Sequence, residues 1–134
     1  MNQPILHIQD LEIAFQQEKV FVPVIHKISY ELFPNEILGI VGESGSGKSV
    51  SSLAIMGLLP KNISKITNGS IVLEGENITN LDSKSFQKIR GKKIAMIFQE
   101  PMSSLNPSMK CGAQVGEIVQ QHTKLSRKEI TVEV

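Results

Sequence analysis

Apolar and polar positions alternate twice near the start of the chain. Leu11, Ile13 and Phe15 alternate with Glu12 and Ala14, and Ile28, Tyr30 and Leu32 alternate with Ser29 and Glu31. A period of two predicts half-buried strands. The polar stretch 16–19 and the run Pro34-Asn35-Glu36 read as turns. Residues 37–41 (ILGIV) are continuously apolar and branched, which predicts a central strand covered on both faces, as in a parallel sheet. A glycine-rich loop follows at 42–47. Val50, Leu53, Ala54, Gly57 and Leu58 then recur at three- and four-residue steps, predicting a helix over 48–59 that Pro60 stops.

Further on, Ile71 and Leu73 alternate with Val72 and Glu74 and run into Gly75-Glu76-Asn77, the pattern of a hairpin. Asp82 or Ser83 is placed to cap a short helix reaching Arg90. Residues 94–98 (IAMIF) read as a second buried strand, ending at Gln99. The stretch 100–108 holds Pro101 and Pro107 and reads as a loop. A helix is expected over 113–121. Ser126 with Glu129 three positions later forms a capping box, so another helix should begin near Arg127. The closing residues 130–134 (ITVEV) are β-branched and favour a helix poorly.

Composition narrows the function classes. The 134 residues carry fourteen Lys and Arg against thirteen Asp and Glu, a net charge of +1, with 4% aromatics and no Trp. That balance suits neither an electrostatic nucleic-acid surface nor a base-stacking platform. No apolar run approaches the ~18 residues of a membrane-spanning helix, and the N-terminus lacks the pattern of a secretory signal. Cys111 is the single cysteine, which excludes an internal disulfide framework and suits a reducing compartment.

The chemistry is concentrated at 42–49, Gly-Glu-Ser-Gly-Ser-Gly-Lys-Ser. This satisfies G-x-x-x-x-G-K-[ST], the P-loop pattern. Glycines allow positive φ and close approach, so that successive backbone N–H groups converge into an anion nest. The helix that follows adds the positive end of its dipole. Lys48 is expected to reach the β- and γ-phosphates, and the Ser49 hydroxyl to ligate Mg²⁺. A Gly/Ser loop that binds nothing is the competing reading. An apolar strand before the motif and a helix after it favour nucleoside triphosphate binding.

Hydrolysis asks for more: a carboxylate closing a second apolar strand to hold the metal, and a group to orient water. The two aspartates, Asp10 and Asp82, do not end apolar strands. Glu100 follows IAMIF one residue late and precedes Pro101, which suits a solvated loop residue better than a ligand. The residues therefore favour binding of ATP over its turnover.

Three segments in order, VGESGSGKSVSSLAIMGLLP (41–60), GSIVLEGENI (69–78) and GKKIAMIFQEPMSSLNP (91–107), resemble the N-terminal half of an ABC transporter ATP-binding subunit. The resemblance is to the bacterial dipeptide, oligopeptide and nickel importer group, and it covers about 6–121. It implies an α/β fold: an incomplete ABC-type nucleotide-binding domain with an antiparallel β region over 1–36, a P-loop core over 37–99 and the start of a helical subdomain over 100–134. It implies ATP and Mg²⁺ as ligands. Gly42, Glu43, Ser44, Gly45, Ser46, Gly47, Lys48 and Ser49 would form the Walker A loop. Gln99 would be the Q-loop glutamine, contacting Mg²⁺ or the attacking water. Phe15 would stack on adenine, with a plain core residue as the alternative.

The resemblance further implies a second ATP-binding subunit and membrane permease subunits as partners. It places the protein peripherally at the cytoplasmic face of a bacterial plasma membrane, where hydrolysis would power import of peptides or a related solute. The family's signature loop needs adjacent glycines, and no two of the ten here are adjacent. The Walker B aspartate, the glutamate after it and the switch histidine have no counterpart; His7, His26 and His122 read as ordinary strand or helix-end residues. A noncatalytic nucleotide-binding fragment is the alternative. A GTPase would show an N-K-x-D-like motif, in which neither aspartate sits. Lys84, Lys88, Arg90, Lys92 and Lys93 read as a solvated basic face. Cys111 has no partner for a metal site or a catalytic pair.

Overall fold

The computed structural model describes residues 3–99 and 105–134. The chain divides into two compact units, Met1–Ser83 and Lys84–Val134. Among the described residues no helix is long and apolar enough to cross a membrane.

The first unit is built on an antiparallel sheet in the order β2-β1-β3-β4. Strand β1 spans Leu6–Gln17, β2 Val20–Leu32, β3 Ser64–Leu73 and β4 Glu76–Asn77. The central strand β1 pairs Leu6 with Leu32 on one side and with Leu73 on the other. Both leading strands run longer than their alternation predicts. The reason lies at Asp10. Ile8, Leu11 and Ile13 are all fully buried, yet Ile8 and Leu11 are three apart. A bulge at Asp10 (φ 46°) absorbs the odd residue and returns Leu11 to the core face. The Asp10 N–H donates to Ser29 Oγ at 2.8 Å, and its carbonyl accepts from Asn68 Nδ2 at 3.3 Å. Gly69 (φ 84°) faces the bulge; a Cβ there would strike the Gln9 and Asp10 carbonyls. The expected hairpin is present, with Leu73 paired to Glu76 around Glu74-Gly75.

Helix α1, Lys48–Ile55, is shorter than predicted. Gly57, not Pro60, ends it. Gly57 adopts φ 61°, its N–H donates to the Ala54 carbonyl, and the Leu58 N–H donates to the Leu53 carbonyl. That pair of bonds is a Schellman cap, and glycine takes its left-handed conformation without strain. Pro60 instead anchors the approach to β3: its carbonyl accepts from the Ile63 and Ser64 N–H groups and from Ser64 Oγ.

The two continuous apolar segments depart from expectation. Neither 37–41 nor 94–98 is a strand. Ile37 is 97% exposed and Val41 94%; in the second unit Ile97 is 89% exposed. A ladder needs a neighbour, and no described strand lies alongside either segment. Among the described residues the one parallel pairing outside the named strands is a single bridge between Arg90 and Ile94. An unpaired, branched, apolar stretch is a template for edge-to-edge association.

The second unit carries α2 (Ser83–Ile89), which starts at the boundary, then α3 (Cys111–His122) and α4 (Arg127–Glu133). Helix α2 keeps Phe86 and Ile89 buried. Gly116 of α3 lies so close to Ile130 of α4 that a Cβ would sit 3.2 Å from Ile130 Cγ2. Helix α4 overrides the poor propensity of its closing residues through its start. The Ser126 hydroxyl accepts from the Glu129 N–H, and the Glu129 carboxylate accepts from the Ser126 N–H at 2.7 Å.

That capping box carries a pH dependence. Hydrogen bonds from the Ser126 side chain and then its backbone hold the Glu129 carboxyl below its ordinary range. A depressed pKa adds stability above the unfolded value and loses it as pH falls through the folded one. Helix α4 is therefore expected to lose order as pH falls below the ordinary glutamate value of about 4.3. Ser126→Ala should remove most of that acid sensitivity and reduce helicity at neutral pH, read by backbone NMR shifts of 127–133.

Candidate phosphate-binding loop

Residues 42–49 form one tight loop that passes into α1. Two glycines provide its turns: Gly45 at φ 83° and Gly47 at φ 91°. The Ser46 N–H donates to the Glu43 carbonyl at 3.2 Å and closes the first turn. Space as well as dihedral angle demands glycine. A Cβ on Gly42 would press on Ser46 Oγ at 2.7 Å, and one on Gly47 would run into Ile25 Cδ1. The loop is thereby seated against the buried Ile25 of β2.

Gly47 is the N-cap of α1 and has no side chain with which to cap. The first intrahelical bond runs from the Ser51 N–H to the Gly47 carbonyl at 2.9 Å. The N–H groups of Lys48, Ser49 and Val50 therefore have no acceptor within the helix, and the positive end of the helix dipole opens onto the loop. No acidic side chain occupies the first turn.

Lys48 folds back over the loop. Its ammonium donates to the Gly42 carbonyl at 2.6 Å, the Glu43 carbonyl at 2.7 Å and Ser46 Oγ at 3.3 Å. One fixed positive charge thus sits over the loop, beside the Lys48, Ser49 and Val50 N–H groups that the helix leaves open. The donor set fits a polyphosphate: the open N–H groups of the first turn of α1 and an ammonium. Ser49 lies exposed in the first turn, its hydroxyl available to a cation brought by such a ligand. Among the described residues no cluster of three His, Cys, Asp or Glu could hold a metal. A cation at this loop would take most of its ligands from the phosphates and water.

A second polar group lies behind the loop. Ser51, 3% exposed, donates through Oγ to the Lys48 carbonyl at 2.8 Å. Ser51 also faces the phenol of Tyr30 on β2. Burial pushes that phenol above its ordinary range, against a smaller opposing pull from the Ser51 hydroxyl. The two groups interact without a well-formed hydrogen bond: the Tyr30 hydroxyl is sealed from solvent and has no partner in bonding geometry. No pattern in the sequence singles out Tyr30 beyond its place in a strand.

The other expected site residues are placed as follows. Phe15 is half-buried on β1, opposite Val22 and Ser64. Gln99 is exposed and belongs to the second unit. Glu100 and the following residues to Ser104 lie outside the described residues. His7 sits 3.7 Å from Glu31 across the β1–β2 pair, an exposed contact of little energetic weight. His122 closes α3 near Gly91, and Cys111 opens it as an exposed thiol.

The family whose description is ABC transporter matches residues 25–133. A dipeptide transport ATP-binding protein of Bacillus subtilis is 41% identical over 98% of this chain and 39% of its own length. An oligopeptide transport ATP-binding protein of the same organism is 45% identical over 92% of this chain and 35% of its own length. A probable D,D-dipeptide transport ATP-binding protein of Escherichia coli is 42% identical over 96% and 39%. The chain thus spans well under half the length of these relatives. Among solved structures, a bacterial ABC transporter cassette in dimeric form superposes with a TM-score of 0.76 at 22% identity, over 94% of this chain and 52% of that one. A cassette bound to ADP and Pi superposes at 0.74.

Proposed function

The chain belongs to the ABC transporter family, and from that premise we propose that it is part of the ATP-binding component of an importer for peptides or a related solute. One observation carries the nucleotide reading: the Lys48 ammonium is drawn into a glycine-turned loop whose helix start is left uncapped. In this reading Gly42, Glu43, Ser44, Gly45, Ser46 and Gly47 wrap the phosphates with main-chain amides. Lys48 exchanges its carbonyl partners for phosphate oxygens, a charge-assisted contact stronger than the ones it leaves. The Ser49 hydroxyl takes one position on Mg²⁺. Phe15 offers a ring to adenine, and Gln99 completes the metal or water contact in a closed site. The boundaries at 36 and 99 stand as the proposed division into β region, P-loop core and start of a helical subdomain.

Two such components sandwiching ATP would drive a permease, because ATP favours the closed pair over the open one. The protein would then work at the cytoplasmic face of a bacterial plasma membrane. Dipeptide and oligopeptide relatives support the solute class. In the complete subunit the same site would turn ATP over; the second reading is a noncatalytic nucleotide-binding fragment, to which the placement of the two aspartates, Asp10 on the first bulge and Asp82 before α2, lends support. Calorimetric titration tests the proposal. MgATP is expected to bind with a stoichiometry of one, with no phosphate released over the titration. Absence of binding would defeat the nucleotide reading, and steady phosphate release abolished by Lys48→Ala would defeat the noncatalytic one.

A further inference from the structure

We propose that Ser51 and Ser52 are positioning residues for the phosphate loop: their two hydroxyls pin the Lys48 carbonyl and so aim the Ser49 N–H at the bound phosphate. The proposal rests on the nucleotide-binding reading of 42–49 and extends it to two side chains behind the loop. Three observations carry it. Ser51 Oγ donates to the Lys48 carbonyl at 2.8 Å, and Ser52 Oγ donates to the same oxygen at 3.1 Å. Ser51 is 3% exposed, so its bond forms away from competing water. The N-cap Gly47 has no side chain to cap the helix, and the first intrahelical bond begins at the Ser51 N–H.

A side-chain cap and a phosphate compete for the same donors. A Ser or Asp at the N-cap would accept from the Ser49 or Val50 N–H, the groups an anion needs open. A helix that meets phosphate with its start has to hold its first turn by other means, and the Lys48 carbonyl offers one. In a trans peptide the C=O and the following N–H lie in one rigid plane and point in opposite directions. Fixing the Lys48 carbonyl toward the body of α1 therefore fixes the Ser49 N–H in the opposite sense, out of the helix start and toward the loop. Two hydroxyls on one oxygen hold that plane more firmly than one, and they polarise the peptide, which makes its N–H a better donor. Ser51 adds a second hold, because its own N–H donates to the Gly47 carbonyl at 2.9 Å. Every one of these bonds is present in the nucleotide-free protein. The pair acts by preorganisation, lowering the cost of ordering the amide when phosphate arrives.

The test compares wild type with Ser51→Ala, Ser52→Ala, the double variant and Ser52→Thr. MgATP affinity is read by calorimetry, and the Ser49 amide by proton–nitrogen correlation NMR with and without MgATP. The double variant is expected to weaken MgATP about ten-fold, the worth of two modest net hydrogen bonds, and each single alanine variant less. The Ser49 amide proton, shifted by phosphate in wild type, should shift less in the double variant at saturating MgATP. Ser52→Thr should keep wild-type affinity, because a threonine Oγ1 can bond the same carbonyl one turn back. Wild-type affinity in the double variant would overturn the inference and leave the nucleotide reading intact. A weakened double variant whose Ser49 amide shifts as in wild type would overturn it too, since the hydroxyls would then act on stability alone. If the double variant does not fold, Ser52→Ala at its half-buried position decides, and unchanged affinity there overturns the inference. A wild type that does not bind MgATP would overturn the nucleotide reading first, and this inference with it.

Discussion

Lys48→Ala is expected to weaken MgATP binding about 100-fold, measured by calorimetry against the wild-type chain. Hydrogen bonds to charged groups contribute roughly 1.5–3 kcal/mol each, and a factor of ten in affinity is about 1.4 kcal/mol. Losing one ammonium from a triphosphate therefore costs about two decades. The free loop is affected as well. Lys48 holds the Gly42 and Glu43 carbonyls on one side of the loop at 2.6 and 2.7 Å. Without it those carbonyls turn to water, and the loop loses the ammonium's contacts to Gly42, Glu43 and Ser46. Lys48→Arg separates the two effects. It keeps the charge, but a planar guanidinium does not reproduce the compact ammonium between two carbonyls. Intermediate affinity with Arg would assign part of the loss to loop geometry. Unchanged affinity with Ala would remove the loop from nucleotide binding altogether.

The loop was legible in sequence because its chemistry is local. Eight consecutive residues specify turns, amides and ammonium, and the structure places them in one loop. The capping box at Ser126 was legible for the same reason, since both of its bonds join residues three apart. The β1 strand was only half legible. Its alternation breaks at Asp10, and the bulge that repairs the phase depends on Ser29, Asn68 and Gly69, all distant in sequence. The end of α1 was misplaced because proline is the louder signal, whereas the two Schellman bonds belong to Gly57 and Leu58.

The apolar segments 37–41 and 94–98 teach the converse lesson. Their composition predicts burial, but burial requires a neighbour that composition does not supply. Ile37, Val41 and Ile97 accordingly remain exposed. Tyr30 was illegible for a related reason. Its hydroxyl is sealed from solvent by the folded chain, and no spacing along the sequence reveals that. Phe15 and Gln99 were singled out by resemblance, and each keeps its place on the chain without a contact that assigns its role.

Gly47→Ala is expected to lower stability to urea by about 2–5 kcal/mol and to weaken MgATP at the same time. Two costs combine. A left-handed conformation in a residue with a side chain costs roughly 1–2 kcal/mol, and Gly47 sits at φ 91°. Overpacking against a buried neighbour adds roughly 1–3 kcal/mol, and the new Cβ meets Ile25 Cδ1. Ile25 is 4% exposed, so its methyl has little room to move aside. The costs can be told apart, because Ile25→Val removes the Cδ1 carbon and leaves the backbone untouched. Alone, that change costs about 0.5–1.5 kcal/mol. In combination with Gly47→Ala it should recover the overpacking portion, so that the double variant is more stable than the two single losses added together. The dihedral portion should persist, because it depends on φ at residue 47 and not on what lies beyond it. Strict additivity would mean that the loop moves off β2 when glycine is replaced, and MgATP affinity would then fall equally in Gly47→Ala and the double variant. Recovery of stability together with affinity would instead show that the contact between Gly47 and Ile25 is what holds the amides in place for phosphate.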